Sequence, residues 1–115
     1  MKSSFGWGEI DEVRYEHDVV IHIDKSVTKR SKKKSRKFRT AFGHTPLIGD
    51  ELEFLGTEEP SVVYIGTGQV DKLPLTVDAL KILTRYKTFL RLTPVVLSML
   101  ESETRQFAAI LYVSC

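Results

Sequence analysis

The stretch that decides the fold is Ser61–Ser98, SVVYIGTGQVDKLPLTVDALKILTRYKTFLRLTPVVLS. Its opening, Val62-Val63-Tyr64-Ile65, is a run of β-formers too short for a helix. That is the pattern of a strand buried on both faces. Gly66-Thr67-Gly68 ends the run. Thr76 then offers a helix cap, with Leu75 and Leu80 placed as a hydrophobic staple. Val77, Leu80, Leu83 and Tyr86 recur at helical spacing and are expected to line the buried face. Phe89–Leu92 reads as the next strand, and Thr93-Pro94 as an N-cap with proline at the first helical position.

Outward from this unit, Phe107–Val113 is a second apolar run and closes the chain as a buried strand. Upstream, Gly49–Leu55 reads as a short helix with acids in its first turn and Gly56 as its stop. Val19, Ile21 and Ile23 alternate with Asp18, Val20 and His22, the period of a half-buried strand. Asp24-Lys25-Ser26 is turn chemistry, so Val27–Arg30 is expected to return as a hairpin partner. Trp7–Glu12 is expected to be a short strand that tucks the one tryptophan against the core. The order predicts a single α/β domain over residues 1–115, a mixed sheet covered by helices.

Length and composition bound the rest. With 115 residues the chain holds one core. No apolar h-region follows the first residues, and Phe107–Val113 is too short to span a bilayer. One cysteine, Cys115, forms no internal disulfide, which fits a cytoplasmic protein. The net charge of +2 conceals an asymmetry. Eight of the basic residues fall between Lys29 and Arg39, leaving nine basic against fifteen acidic elsewhere.

Candidate chemistry is sparse. Gly66-Thr67-Gly68 invites comparison with a dinucleotide turn, but the expected helix cap comes eight residues later, and position 71 is Asp71 rather than glycine. No cofactor is expected. A small anion at Gly66, Thr67, Gly68, Gln69 and Thr93 remains open, because parallel neighbouring strands would bring these residues to one crevice. The other account is that the glycines turn the chain off the sheet. Three scattered histidines and one cysteine offer no metal set. His44 is expected to hydrogen-bond its own loop or the helix that follows. No catalytic elbow is present. Asp50, Glu51, Glu53, Glu58 and Glu59 read as a solvated acidic face.

The basic residues Lys29, Arg30, Lys32, Lys33, Lys34, Arg36, Lys37 and Arg39 suit phosphates or an acidic protein partner. Only Phe38 and Phe42 lie near enough to stack on bases, so nucleic acid is the less favoured partner. A mobile, solvated hairpin extension is the preferred reading of the same segment over phosphate binding.

Phe5-Gly-Trp-Gly-Glu-Ile10, Tyr15-Glu-His-Asp18-Val-Val-Ile21, His44-Thr-Pro-Leu47, Ile65-Gly-Thr-Gly68, Thr93 and the Ala-Ala-Ile-Leu…Cys115 ending stand together along nearly the whole chain. In this combination the sequence resembles the adipogenesis-associated Mth-type domain family, which includes a mitochondrial complex I assembly factor. The resemblance implies a three-layer α/β fold: a mixed central sheet whose last strand runs antiparallel, flanking helices, and an added N-terminal β-hairpin. It brings no reaction. The functional expectation is a non-enzymatic binding or assembly-type protein acting through protein contacts. An enzyme or sensor with a small anionic ligand is the alternative, and nucleic-acid binding the third.

Overall fold

Eight strands in two sheets carry the chain in a computed structural model that describes residues 2–4, 7–39, 43–70 and 73–113. The main sheet is built from β4 (Val19–Ile21), β5 (Val27–Lys29), β6 (Val62–Gly66), β7 (Thr88–Arg91) and β8 (Phe107–Leu111), in the order β5-β4-β8-β6-β7. β6 and β8 have strand neighbours on both sides, and every residue in both is buried. This is why each reads as an unbroken apolar run.

β7 and β8 both run parallel to β6, while β4 runs antiparallel to β8. The expectation of an antiparallel last strand is therefore corrected. The sheet is mixed because β4 enters against β8, through a pairing that carries the β4–β5 hairpin. The hairpin itself lies where its turn chemistry placed it.

The pleat divides the core in two. Val62, Tyr64, Phe107, Ala109 and Leu111 face Val96, Leu97 and Leu100 of α3 (Thr93–Leu100). Val63, Ile65, Ala108 and Ile110 face the other layer. That layer holds a 3-10 turn (Gly49–Leu52), α1 (Phe54–Glu58) and α2 (Val77–Leu83). Alternate residues of one strand serve opposite layers, the period-two consequence of the extended chain. A second antiparallel sheet of β1 (Lys2–Ser4), β2 (Trp7–Ile10) and β3 (Val13–Tyr15) joins the α3 side, where Ile10 enters the core. Trp7 is only half-buried, under the Arg14 guanidinium at 4.7 Å.

Three local expectations change. The acid-rich helix starts as a 3-10 turn, continues through Gly56, and stops at Glu59, whose φ of 52° is left-handed. Ala79 and Leu83 are the buried residues of α2, whereas Val77 is 69% and Leu80 43% exposed. Leu83 is buried as expected and Tyr86 packs half-buried against the same layer, but Ala79 takes the place expected of Val77 and Leu80, because helical spacing alone does not say how far the buried face extends. Finally, β4 keeps the expected alternation, with Val20 half-buried between buried Val19 and Ile21, but Asp18 beside it is as inaccessible as Val19.

Candidate functional site

Two polar knots lie at the carboxyl end of β8. The first gathers the residues expected to form a crevice. Gly68 N–H donates to the Thr93 hydroxyl at 2.9 Å, and that hydroxyl donates to the Tyr112 carbonyl at 2.7 Å. Thr93 N–H donates to the Gly68 carbonyl at 2.9 Å. Thr67 N–H and its hydroxyl both donate to the Arg91 carbonyl, at 2.9 and 3.2 Å. Thr93 does not cap α3 with its side chain; Leu92 holds the cap position, and the hydroxyl is spent on the clasp. A Cβ on Gly66 would lie 2.8 Å from that hydroxyl and 3.2 Å from the Thr93 Cα, so glycine is required there for close approach.

Gly66, Thr67, Gly68 and Thr93 are thus brought together and buried, with Gln69 half-buried beside them. Their donors are committed to one another and to β7 and β8.

The second knot was not foreseen. Asp18 and Arg30 side chains are each only 1% exposed, with Arg30 Nη1 donating to Asp18 Oδ2 at 3.0 Å. Arg30 also donates from Nε to Glu51 Oε1 at 2.6 Å and from Nη2 to the Pro46 carbonyl at 2.8 Å. Val113 N–H donates to Asp18 Oδ1 at 2.8 Å, and Lys32 Nζ stands 3.1 Å from Oδ2. Glu51 Oε2 in turn accepts the Ile48 amide at 2.9 Å, holding the start of the 3-10 turn. Burial opposes the Arg30 charge, but the hydrogen bonds and charges of Glu51 and Asp18 outweigh it and raise the guanidinium above its ordinary pKa. Arg30 is an anchor, not part of an exposed basic patch. Glu51 is likewise no member of a solvated face.

Above this floor opens a cleft of about 510 Å³, where Lys29, Arg30, Lys32, Lys33 and Arg36 outnumber Glu16 and Asp18. The segment expected as a mobile extension is tied down instead. Arg30 fixes its base, buried Ser35 its middle, and a 3-10 turn at Arg36–Phe38 its far side. Lys29, Lys33, Lys34, Arg36, Lys37 and Arg39 remain exposed. Across Lys33 and Lys34 a second depression of about 800 Å³ adds the half-buried Phe38 and the buried Ile48.

His44 bonds through Nδ1 to the Tyr112 hydroxyl at 3.1 Å rather than to its own loop or the following helix. Among the described residues no group of His, Cys, Asp and Glu is arranged to hold a metal ion. No helix among them is long and apolar enough to cross a membrane. Phe42, Asp71 and Cys115 lie outside the described residues.

Asp18 and Arg30 had a signal in the sequence. Folding the hairpin about Asp24 places position 18 opposite position 30, so a buried-strand acid meets a base across the ladder. Glu51 had none, because its approach depends on the layer packed over the sheet.

No family model and no curated protein matches the chain. Solved structures do. A conserved hypothetical protein from Pyrococcus horikoshii is similar with 26% identity and a TM-score of 0.83, over 100% of this chain and 98% of its own. A protein named MT938 is 27% identical with a TM-score of 0.68, over 100% of this chain and 96% of its own. An NMR structure from Xanthomonas campestris, 15% identical over 98% of this chain and 82% of its own, has a TM-score of 0.66 and shares the fold alone. The α/β architecture is that of these structures.

Proposed function

We propose that this chain is a cytoplasmic binding domain of the adipogenesis-associated Mth-type family that docks an acidic segment of a partner protein on its basic face. The carrying observation is the buried Arg30 anchor. It holds the basic segment against the sheet, so its exposed cations are presented in a fixed arrangement with little ordering entropy left to lose on binding. Half-buried Phe38 supplies apolar contact beside the charge, which a protein segment uses and a bare phosphate does not. Phe38 is the one aromatic among the segment's described residues, which disfavours base stacking. The small-anion alternative at Gly66–Gln69 and Thr93 has less support, because the Gly68 amide and the amides and hydroxyls of Thr67 and Thr93 already donate to acceptors within the fold. The family assignment is supported by the motif residues. The cytoplasmic assignment is supported by the single cysteine.

The test is titration with fluorescent acidic peptides that carry one apolar residue, at low and raised salt. Binding is expected to weaken with salt and to be lost in Lys33→Glu/Arg36→Glu/Lys37→Glu, whose fold is unchanged. A single-stranded RNA of equal charge that binds better than every peptide overturns the reading, as does a panel in which no peptide binds at low salt.

A further inference from the structure

At the outer edge of the main sheet three side chains line up that neither knot uses. Glu58, the last residue of α1, accepts the Ile23 amide through Oε1 at 3.0 Å. Its Oε2 lies 2.5 Å from His22 Nδ1, and His22 Nε2 lies 2.8 Å from the Thr28 hydroxyl. The Phe54 ring meets the imidazole edge-on at 5.4 Å. A carboxylate only accepts, so Nδ1 carries the proton shared with Glu58. In the neutral imidazole Nε2 then offers its lone pair, and Thr28 O–H donates to it. Carboxylate, imidazole and hydroxyl stand in the order that activates a hydroxyl nucleophile.

The ladder supplies a further donor. The bonds from Arg30 N–H to the Asp18 carbonyl and from His22 N–H to the Ser26 carbonyl fix the alternation of the hairpin. Thr28 therefore turns its own amide toward Val20, while the amides of Val27 and Lys29 point away from β4. β5 is the edge strand, and among the described residues no strand pairs with its outer side. The Lys29 amide, one residue past Thr28, faces solvent where an acyl oxygen can approach it. An amide after the nucleophile is a recurrent oxyanion donor.

We propose that Thr28, His22 and Glu58 form an acyl-transfer triad with Thr28 as nucleophile toward small, unhindered carboxylic esters. Thr28 Oγ attacks the ester carbonyl and its proton passes to His22 Nε2. The bond to the alcohol oxygen breaks, that oxygen takes the proton from His22, and an ester of Thr28 remains. Water then attacks this ester, gives a proton to His22, and releases the carboxylic acid as the proton returns to Thr28. One water is consumed and nothing is oxidised. Thr28 and His22 are the catalytic residues; Glu58 is a positioning residue that holds the imidazole. This activity is independent of partner docking.

The test uses p-nitrophenyl acetate on the full chain, with nitrophenolate release and peptide mapping by mass spectrometry. Acetyl is expected on Thr28, removable by hydroxylamine as an ester is and a lysine amide is not. Thr28→Ser retains it, Thr28→Val abolishes it, and His22→Gln slows it about 100-fold. Glu58→Gln lowers the ratio of Thr28 acetyl to lysine acetyl within the same molecules, a readout that a merely structural tie does not move. Melting curves identify any variant that fails to fold, and Thr28→Ser keeps the test intact if the others do. Acetyl found on lysines only, or on Thr28 at an unchanged rate in folded His22→Gln, overturns the proposal.

Discussion

The clasp at Thr93 and the ionic knot at Asp18 are fed by the two ends of one peptide group, that between Tyr112 and Val113. The Tyr112 carbonyl accepts from Thr93 and the Val113 amide donates to Asp18. From one strand end, the chain thus builds one neutral knot and one charged knot. In the clasp, the Thr93 hydroxyl is both donor and acceptor, and its partners are backbone groups of buried residues. That is how a buried turn satisfies its backbone. The charged knot has to offset the desolvation of Asp18 and Arg30, which apolar residues of similar volume would avoid. It also opens, through Lys32, onto a cleft edged by further cations. The comparison separates two uses of hydrogen bonds: the Gly68 amide and the Thr67 and Thr93 hydroxyls of the glycine crevice are taken up within the fold, whereas the hairpin base borders a cleft edged by exposed cations.

The largest expected effect tests the charged side. In Arg30→Ala, Asp18 keeps Lys32 and the Val113 amide but loses its buried partner, and Glu51 loses its bidentate one. The expected loss is about 3–5 kcal/mol of unfolding free energy, measured by urea denaturation. A loss near zero would mean that the segment is not anchored, and the fixed-presentation argument goes with it. Thr93→Val tests the neutral side. It keeps the shape but takes from the buried Gly68 amide its acceptor and from the buried Tyr112 carbonyl the hydroxyl it accepts from. The expected cost is about 2–4 kcal/mol, with peptide binding on the basic face unchanged. If Thr93→Val instead weakens the peptide while sparing stability, the two knots are coupled and the division fails.

How far the sequence carried this picture depends on which forces set each element. β6 and β8 were legible because a strand buried on both faces leaves little choice of residue type. The β4–β5 hairpin was legible from Asp24-Lys25-Ser26, and its register contained the Asp18–Arg30 pairing. The full buried face of α2 was not legible. Val77 and Leu80 have the same spacing and hydropathy as a core face, and only docking against the sheet selects Ala79 beside Leu83 in their place. The turn of β2 into β3 at Asp11 and Glu12 was hidden for another reason. Both residues have positive φ, 48° and 68°, where Asn-Gly or Asp-Gly is the recognisable signal. The meeting of His22, Thr28 and Glu58 joins a hairpin to a helix more than thirty residues away, and no local pattern marks it.

A milder contrast closes the scale. Glu103 accepts hydrogen bonds from Arg105 Nε and Nη2 at 3.0 and 2.7 Å and from the Tyr64 hydroxyl at 2.5 Å. The Arg105 hydrogen bonds, then that of Tyr64, hold the Glu103 carboxyl down to about 2. Burial first, and then the Glu103 contact, push the Tyr64 phenol up. A carboxyl depressed in the folded state binds its proton more readily when unfolded, so it stabilises the fold above the unfolded pKa of about 4.3. That contribution falls as pH drops from about 5 and is gone below about 2. The difference in melting temperature between the parent chain and Glu103→Gln should therefore be largest at neutral pH and should shrink steadily on acidification. Arg105 is nearly half exposed, so solvent screens the pair, and the neutral-pH difference should stay below that of Thr93→Val. A difference that instead grows toward pH 3 would mean that the protonated form of Glu103 is the one the fold prefers.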